Sequence, residues 1–144
     1  MTDNSRSAAT VEPSAPRPSS FGRVMQAILV VVALLQVILV ATQAMLAGIG
    51  LDGRAIGADL HESNSTVVAI VGVVQVIAAV LWWRPGRGRG AAPLLAAGLL
   101  LAVMAQMVAG QNSVLAVHIP LGIGILLGSI WLLRIALRRQ PSST

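Results

Sequence analysis

The basic residues of this chain are confined to the flanks of four long apolar stretches, roughly 24–47, 64–83, 91–109 and 114–133. Arg6, Arg17 and Arg23 precede the first stretch, Arg84, Arg87 and Arg89 separate the second from the third, and Arg134, Arg138 and Arg139 follow the fourth. If each stretch crosses a bilayer once, all nine share one side and only Arg54 is left on the other. Short basic flanks are retained on the cytoplasmic face, so the pattern predicts four crossings with both termini inside.

Length and composition point the same way. A helix rising about 1.5 Å per residue needs roughly 20 residues to cross about 30 Å of hydrocarbon, and each stretch is close to that. Hydrophobic residues make up 56% of the chain and charged residues 10%, with a mean hydropathy of +0.81. A formal charge of +5 would suit nucleic acid only if the arginines formed one stripe. Because they bracket spans, they read as topology signals with a secondary attraction to anionic lipid, and no nucleic-acid partner is expected. The absence of cysteine excludes disulfides, iron–sulfur clusters and thiolate chemistry. The first stretch is too long for a cleaved signal peptide.

Residues 1–22, rich in Ser, Pro and Ala, read as a disordered cytoplasmic tail. Residues 23–139 read as one transmembrane domain, and 140–144 as a short second tail. The connections Arg84–Gly90 and Ala109–Ser113 are short, which predicts antiparallel neighbours and an all-α, up-down-up-down four-helix bundle. Ser113 is a candidate N-cap for the fourth helix. Gly48 to Ser63 reads as a longer outer loop, in which Asp59-Leu60-His61-Glu62 has capping-box spacing and Ser63 is an alternative cap. Trp82, Trp83 and Trp131 lie at the cytoplasmic boundary and read as interfacial anchors. Gln43-Ala44-Met45-Leu46-Ala47-Gly48 and Gln106-Met107-Val108-Ala109-Gly110 form a short internal repeat. Each run closes a helix and precedes a second helix with one histidine near its outer end, which reads either as a parallel duplication or as a chance match in apolar sequence.

Those two histidines, His61 and His118, are the only ones in the chain. They open the second and fourth helices, which face each other diagonally in a simple bundle. Two neutral imidazoles projecting inward can supply both axial ligands of a haem iron. The remaining ring N–H can be oriented by a carboxylate, for which Asp59 and Glu62 are the candidates at His61. Small residues, Ser65 and Gly72 below His61 and Gly122 and Ser129 below His118, would leave room. The plainer reading is a pair of histidines at helix entrances near a lipid interface, where Gly and Ser serve helix packing. Counting from Arg84 and Arg134 leaves the two histidines roughly 10 Å apart in depth; counting from Arg138 leaves about 4–5 Å.

Gln36, Gln43, Gln75 and Gln106 are the other polar groups within the spans and are expected to face inward and bond across helices. No Asp, Glu or Lys is embedded, which argues against an ion-coupled transporter. There is no nucleotide-binding loop, zinc-protease motif or nucleophile–base pair, so no catalytic residue is expected.

With a histidine at the outer ends of helices two and four, the chain resembles one half of a haem A synthase-type protein. That family duplicates a four-helix bundle and ligates haem near the outer face through such a pair. The resemblance spans 24–133 in topology and rests on His61 and His118 as residues. It implies b-type haem at those two positions. It does not imply haem hydroxylation, because only one bundle is present, the outer loop has no cysteine pair, and no glutamate precedes His61 by one turn. The chain is also similar to small four-helix membrane proteins of actinobacteria, a resemblance that implies no activity. Two functional classes follow: haem binding for electron transfer or haem handling, and a cofactor-free accessory subunit held by lipid and by a membrane-protein partner or a second copy.

Overall fold

The computed structural model of the protein describes residues 19–86 and 88–138. Arg6, Arg17, Arg87, Arg139, the tail 140–144 and most of the 1–22 tail lie outside that range. The described residues form four α-helices: α1 (Ser20–Leu51), α2 (Ala55–Trp83), α3 (Ala91–Gln111) and α4 (Leu115–Leu137). Each is long and apolar enough to cross a membrane. In hydrocarbon a helix is the natural choice, because it satisfies its own backbone polar groups without water. Each helix packs on its two sequence neighbours, and α4 returns to α1. The bundle is therefore a square with α2 diagonal to α4 and α1 diagonal to α3.

One spacing organises the interior. Helix α1 buries Leu29, Ala33, Gln36 and Val40, and α3 buries Ala92, Ala96, Leu99 and Val103, in the same steps of four, three and four. Helix α2 buries Val68, Gly72, Gln75 and Ala79, and α4 buries Ile125, Ser129, Leu132 and Ala136, with identical steps. This is the heptad-like seam of helices crossing at a shallow angle. It also gives the short sequence repeat structural substance, since each of these positions in α1 has a buried counterpart 63 residues on in α3, and each of those in α2 one 57 residues on in α4. Alanines crowd the deeper half, where Leu29, Ala79, Ala96, Leu132 and Ala136 share a cluster with Trp82. Nearer the histidines, Val40, Val68, Val103 and Ile125 form one apolar layer.

Several local expectations are corrected. Helix α1 starts at Ser20, capped by Ser19, whose Oγ accepts from Gly22 N at 3.0 Å. The expected loop from Gly48 to Ser63 is mostly helix. Only residues 52–54 connect α1 to α2, and Gly53 takes the left-handed φ of 81° that the reversal requires. Helix α2 thus begins at Ala55 with Arg54 at its cap and no side-chain capping bond. Asp59 and Glu62 lie inside it, and no capping box forms. The hairpin holds this shape because two glycines touch: a Cβ on Gly57 would stand 2.5 Å from Gly50 N. Ser113 is likewise a turn residue with φ of 57°, not a cap, and α4 starts after Val114. Trp82 is 1% exposed, in the core and not at an interface. Gly88 lies against its indole, which leaves no space for a side chain there. Trp83 and Trp131 are exposed, as anchors would be.

Candidate functional site

His61 stands in the second turn of α2 and His118 in the first turn of α4, and the diagonal packing turns both toward the bundle axis. Their ring centroids are 6.1 Å apart with planes inclined at 52°. The larger depth mismatch reached by counting from the arginines is therefore excluded. The arginines are unequal markers: at the offset of 57 that aligns α2 with α4 the two histidines are counterparts, whereas Arg134 lies within α4 at the counterpart of Ile77 and Arg84 lies just past the end of α2.

Each ring is held in the same way. His61 Nδ1 lies 3.0 Å from the backbone oxygen of Gln43, and His118 Nδ1 lies 3.0 Å from that of Gln106. A carbonyl can only accept, so Nδ1 carries a proton in both, which leaves Nε2 as the nitrogen that could bind a metal. The two glutamines are counterparts in the internal repeat, so the site has approximate two-fold symmetry about the bundle axis. The expected carboxylate partners are replaced: Asp59 and Glu62 are exposed on α2, while the His61 ring N–H goes to Gln43. Sequence reasoning could not see this, because a backbone carbonyl has no residue signature. The repeat itself was the available signal, since it placed a glutamine opposite each histidine.

The two halves differ in their side chains. Gln43 Nε2 donates to His61 O at 2.7 Å, and Asn64 Nδ2 donates to both Gln43 Oε1 and Leu39 O. That makes a closed clamp between α1 and α2. In the second hairpin the counterpart of Asn64 is Leu121, and Gln106 Oε1 is buried without a protein partner. His118 instead relies on space. A Cβ on Gly110 would come within 2.9 Å of its Cε1. Deeper in the bundle Gln36 Nε2 donates to Val68 O at 3.3 Å. Among the described residues the Gln75 amide meets no protein partner. Its counterpart is Leu132.

A cavity of about 350 Å³ adjoins both imidazoles, within the range of small-molecule and cofactor sites. Its floor is the Val40, Val68, Val103 and Ile125 layer. Ser65, with its hydroxyl donating to Glu62 O at 2.6 Å, and Gly122 line its walls, while Gly72 and Ser129 lie below it. Among the described residues no group of three or more His, Cys, Asp or Glu side chains is placed to hold a metal ion, so any metal here would rest on the two imidazoles. Comparison with known proteins leaves this geometry to stand alone: no family model, no curated protein and no solved structure matches the chain.

Proposed function

We propose that this chain is a multi-pass membrane protein that binds one b-type haem between His61 and His118. The observation that carries the reading is the spacing of the rings. Two metal–nitrogen bonds of about 2 Å each, plus about 1.1 Å from each nitrogen to its ring centre, put coaxial imidazoles about 6 Å apart; the rings are 6.1 Å apart. Tilted aromatic contacts also occur at such distances. What sets this pair apart is that both Nδ1–H groups are committed to carbonyls, which leaves both Nε2 atoms for a metal, beside a cavity. A packing pair would also need its ring N–H groups satisfied, but it has no need of a cavity beside both rings.

The residues fit the group. Each imidazole is oriented by a backbone carbonyl, small side chains on α1 and α4 leave room for a flat ring, and the lining is apolar. Arg54 is the basic side chain at the histidine end and would pair with acidic groups on the ligand's rim. Haem bound here would supply one-electron chemistry. The protein's part is to hold both ligands at fixed distance and keep water from the ring. No side chain is placed as a nucleophile or general base, so the reading is electron transfer or haem handling without catalysis by the protein. The arginine distribution supports an orientation with both termini cytoplasmic and the site in the outer half of the cell membrane.

The decisive measurement is an absorption spectrum of detergent-purified protein expressed with ample haem. A sharp low-spin spectrum on reduction is expected, lost in His118→Ala and converted to a five-coordinate or water-ligated form in His61→Ala. A colourless protein, or retained haem in the double variant, would refute the assignment and leave the accessory role in its place. Orientation is checked with a reporter active only in the cytoplasm, expected to work at Gly88 or after Thr144 and to fail at Gly53.

A further inference from the structure

The cavity does not open evenly. From α2 and α3 it is lined by His61, Ser65, Val68, Val103, Gln106 and Met107, all buried or half-buried. From α1 and α4 it is lined in part by residues that also face outward: Ala44, Gly48 and Leu51 on one side, Ile119 and Ile123 on the other. Leu51 is 75% exposed and Ile123 58%. The opening therefore lies between α1 and α4. It runs along α1 from Leu51 to Ala44, about two turns or roughly 10 Å. Every residue on its lips is apolar or small, so this part of the surface faces lipid.

The internal repeat shows why only one side is open. The constant offset that pairs Val40 with Val103 pairs Ala44 with Met107. Met107 fills the second hairpin's version of the opening and packs against the valine layer. On the facing helices, Ile119 and Ile123 of α4 correspond to Glu62 and Thr66 of α2. One side thus has a methyl group at the lip with aliphatic residues opposite. The other has a long thioether side chain with polar residues opposite.

We infer that the α1–α4 opening is the route by which a flat, lipid-dissolved ligand reaches the histidine pair from the outer leaflet, and that Ala44 and Met107 decide on which side that route lies. The inference rests on the haem reading for the identity of the ligand, but its geometry stands apart from it. A planar amphiphile slides edge-on through a slot about two turns tall, its apolar face against Ile119 and Ile123. It stops where the two Nε2 atoms flank it, with its polar rim toward the aqueous end of α1. The α2–α3 side offers no such path while Met107 occupies it.

The test exploits the absence of cysteine. A single Ser65→Cys variant in liposomes places one thiol on the cavity wall, to be labelled by a membrane-dissolved pyrene maleimide. In parallel, haem uptake from the same liposomes by the cysteine-free protein is followed by absorbance. Ala44→Met is expected to slow both labelling and uptake several-fold, while its melting temperature stays close to that of the parent. The swap Ala44→Met with Met107→Ala is expected to restore both through the opposite side, which a merely damaged fold could not do. Ile123→Trp closes the other lip independently and should slow both readouts. Labelling at the parent rate in both Ala44→Met and Ile123→Trp would overturn the route. Slowed labelling in these variants, with no haem bound by the parent protein, would instead uphold the route and refute the haem reading.

Discussion

Gly110 is the position at which a single methyl group should report on the histidine pair. A Cβ added there meets His118 Cε1 at 2.9 Å and Nδ1 at 3.1 Å. Carbon atoms settle at about 3.5–4.0 Å, so the ring must retreat by about 0.6–1 Å. Its Nδ1 is already 3.0 Å from Gln106 O, and a bond stretched to about 3.6 Å is no longer a hydrogen bond. Gly110→Ala therefore both displaces the His118 imidazole and frees its tautomer. Loss of such an orienting bond lowers metal affinity about 10–100-fold, or about 1.4–2.7 kcal/mol. The assay is a haem titration of the purified protein by absorbance, with Gly98→Ala as control. Gly98 lies on the same helix with nothing within 4 Å of its added Cβ, and should bind like the parent. If Gly110→Ala binds haem as tightly as Gly98→Ala, the claim that His118 is held in place by this glycine and by Gln106 is wrong.

Other outcomes follow from the asymmetry between the hairpins. Asn64→Leu copies the residue at the counterpart position and leaves buried Gln43 Oε1 without its donor, so a loss of about 1–3 kcal/mol is expected in thermal or denaturant unfolding. Gln75→Leu copies Leu132 and removes an amide with no protein partner, and should raise the melting temperature; a fall would mean that the amide is satisfied in the membrane-embedded protein. Trp82→Ala removes the indole that fills the end of the bundle opposite the histidines, and should cost about 3–5 kcal/mol. An unchanged melting temperature in that variant would contradict its place in the core.

The four helices were legible because lipid leaves an apolar stretch of this length little choice of structure. Their ends were not. Asp59 and Ser113 are good capping residues in water-facing chains, but here helix length is set by Gly53 and the Gly50–Gly57 contact, and polar residues simply continue the helix. Trp82 was misread for a different reason. Tryptophan at a boundary suggests an anchor, yet 68, 72, 75, 79 and 82 continue one seam, and that periodicity outweighs residue type. His61 and His118 stood out because they are the only two histidines in the chain and lie at the ends of apolar stretches without embedded charge. The carboxylates of Asp59 and Glu62 drew attention away from what orients them. The orienting groups are main-chain oxygens of α1 and α3, and these become visible only once the packing within each hairpin is known.

Two related hairpins joined by a short link amount to a dimer in which the partners can no longer separate, with the imidazoles close to its axis. In a dimer of identical hairpins any change at one lip would be made at both, so such an assembly could be open on two sides or on none. Joining the hairpins in one chain removes that constraint. The residue at position 44 can stay small while the one at position 107 grows, and a symmetric pair of imidazoles acquires a front and a back.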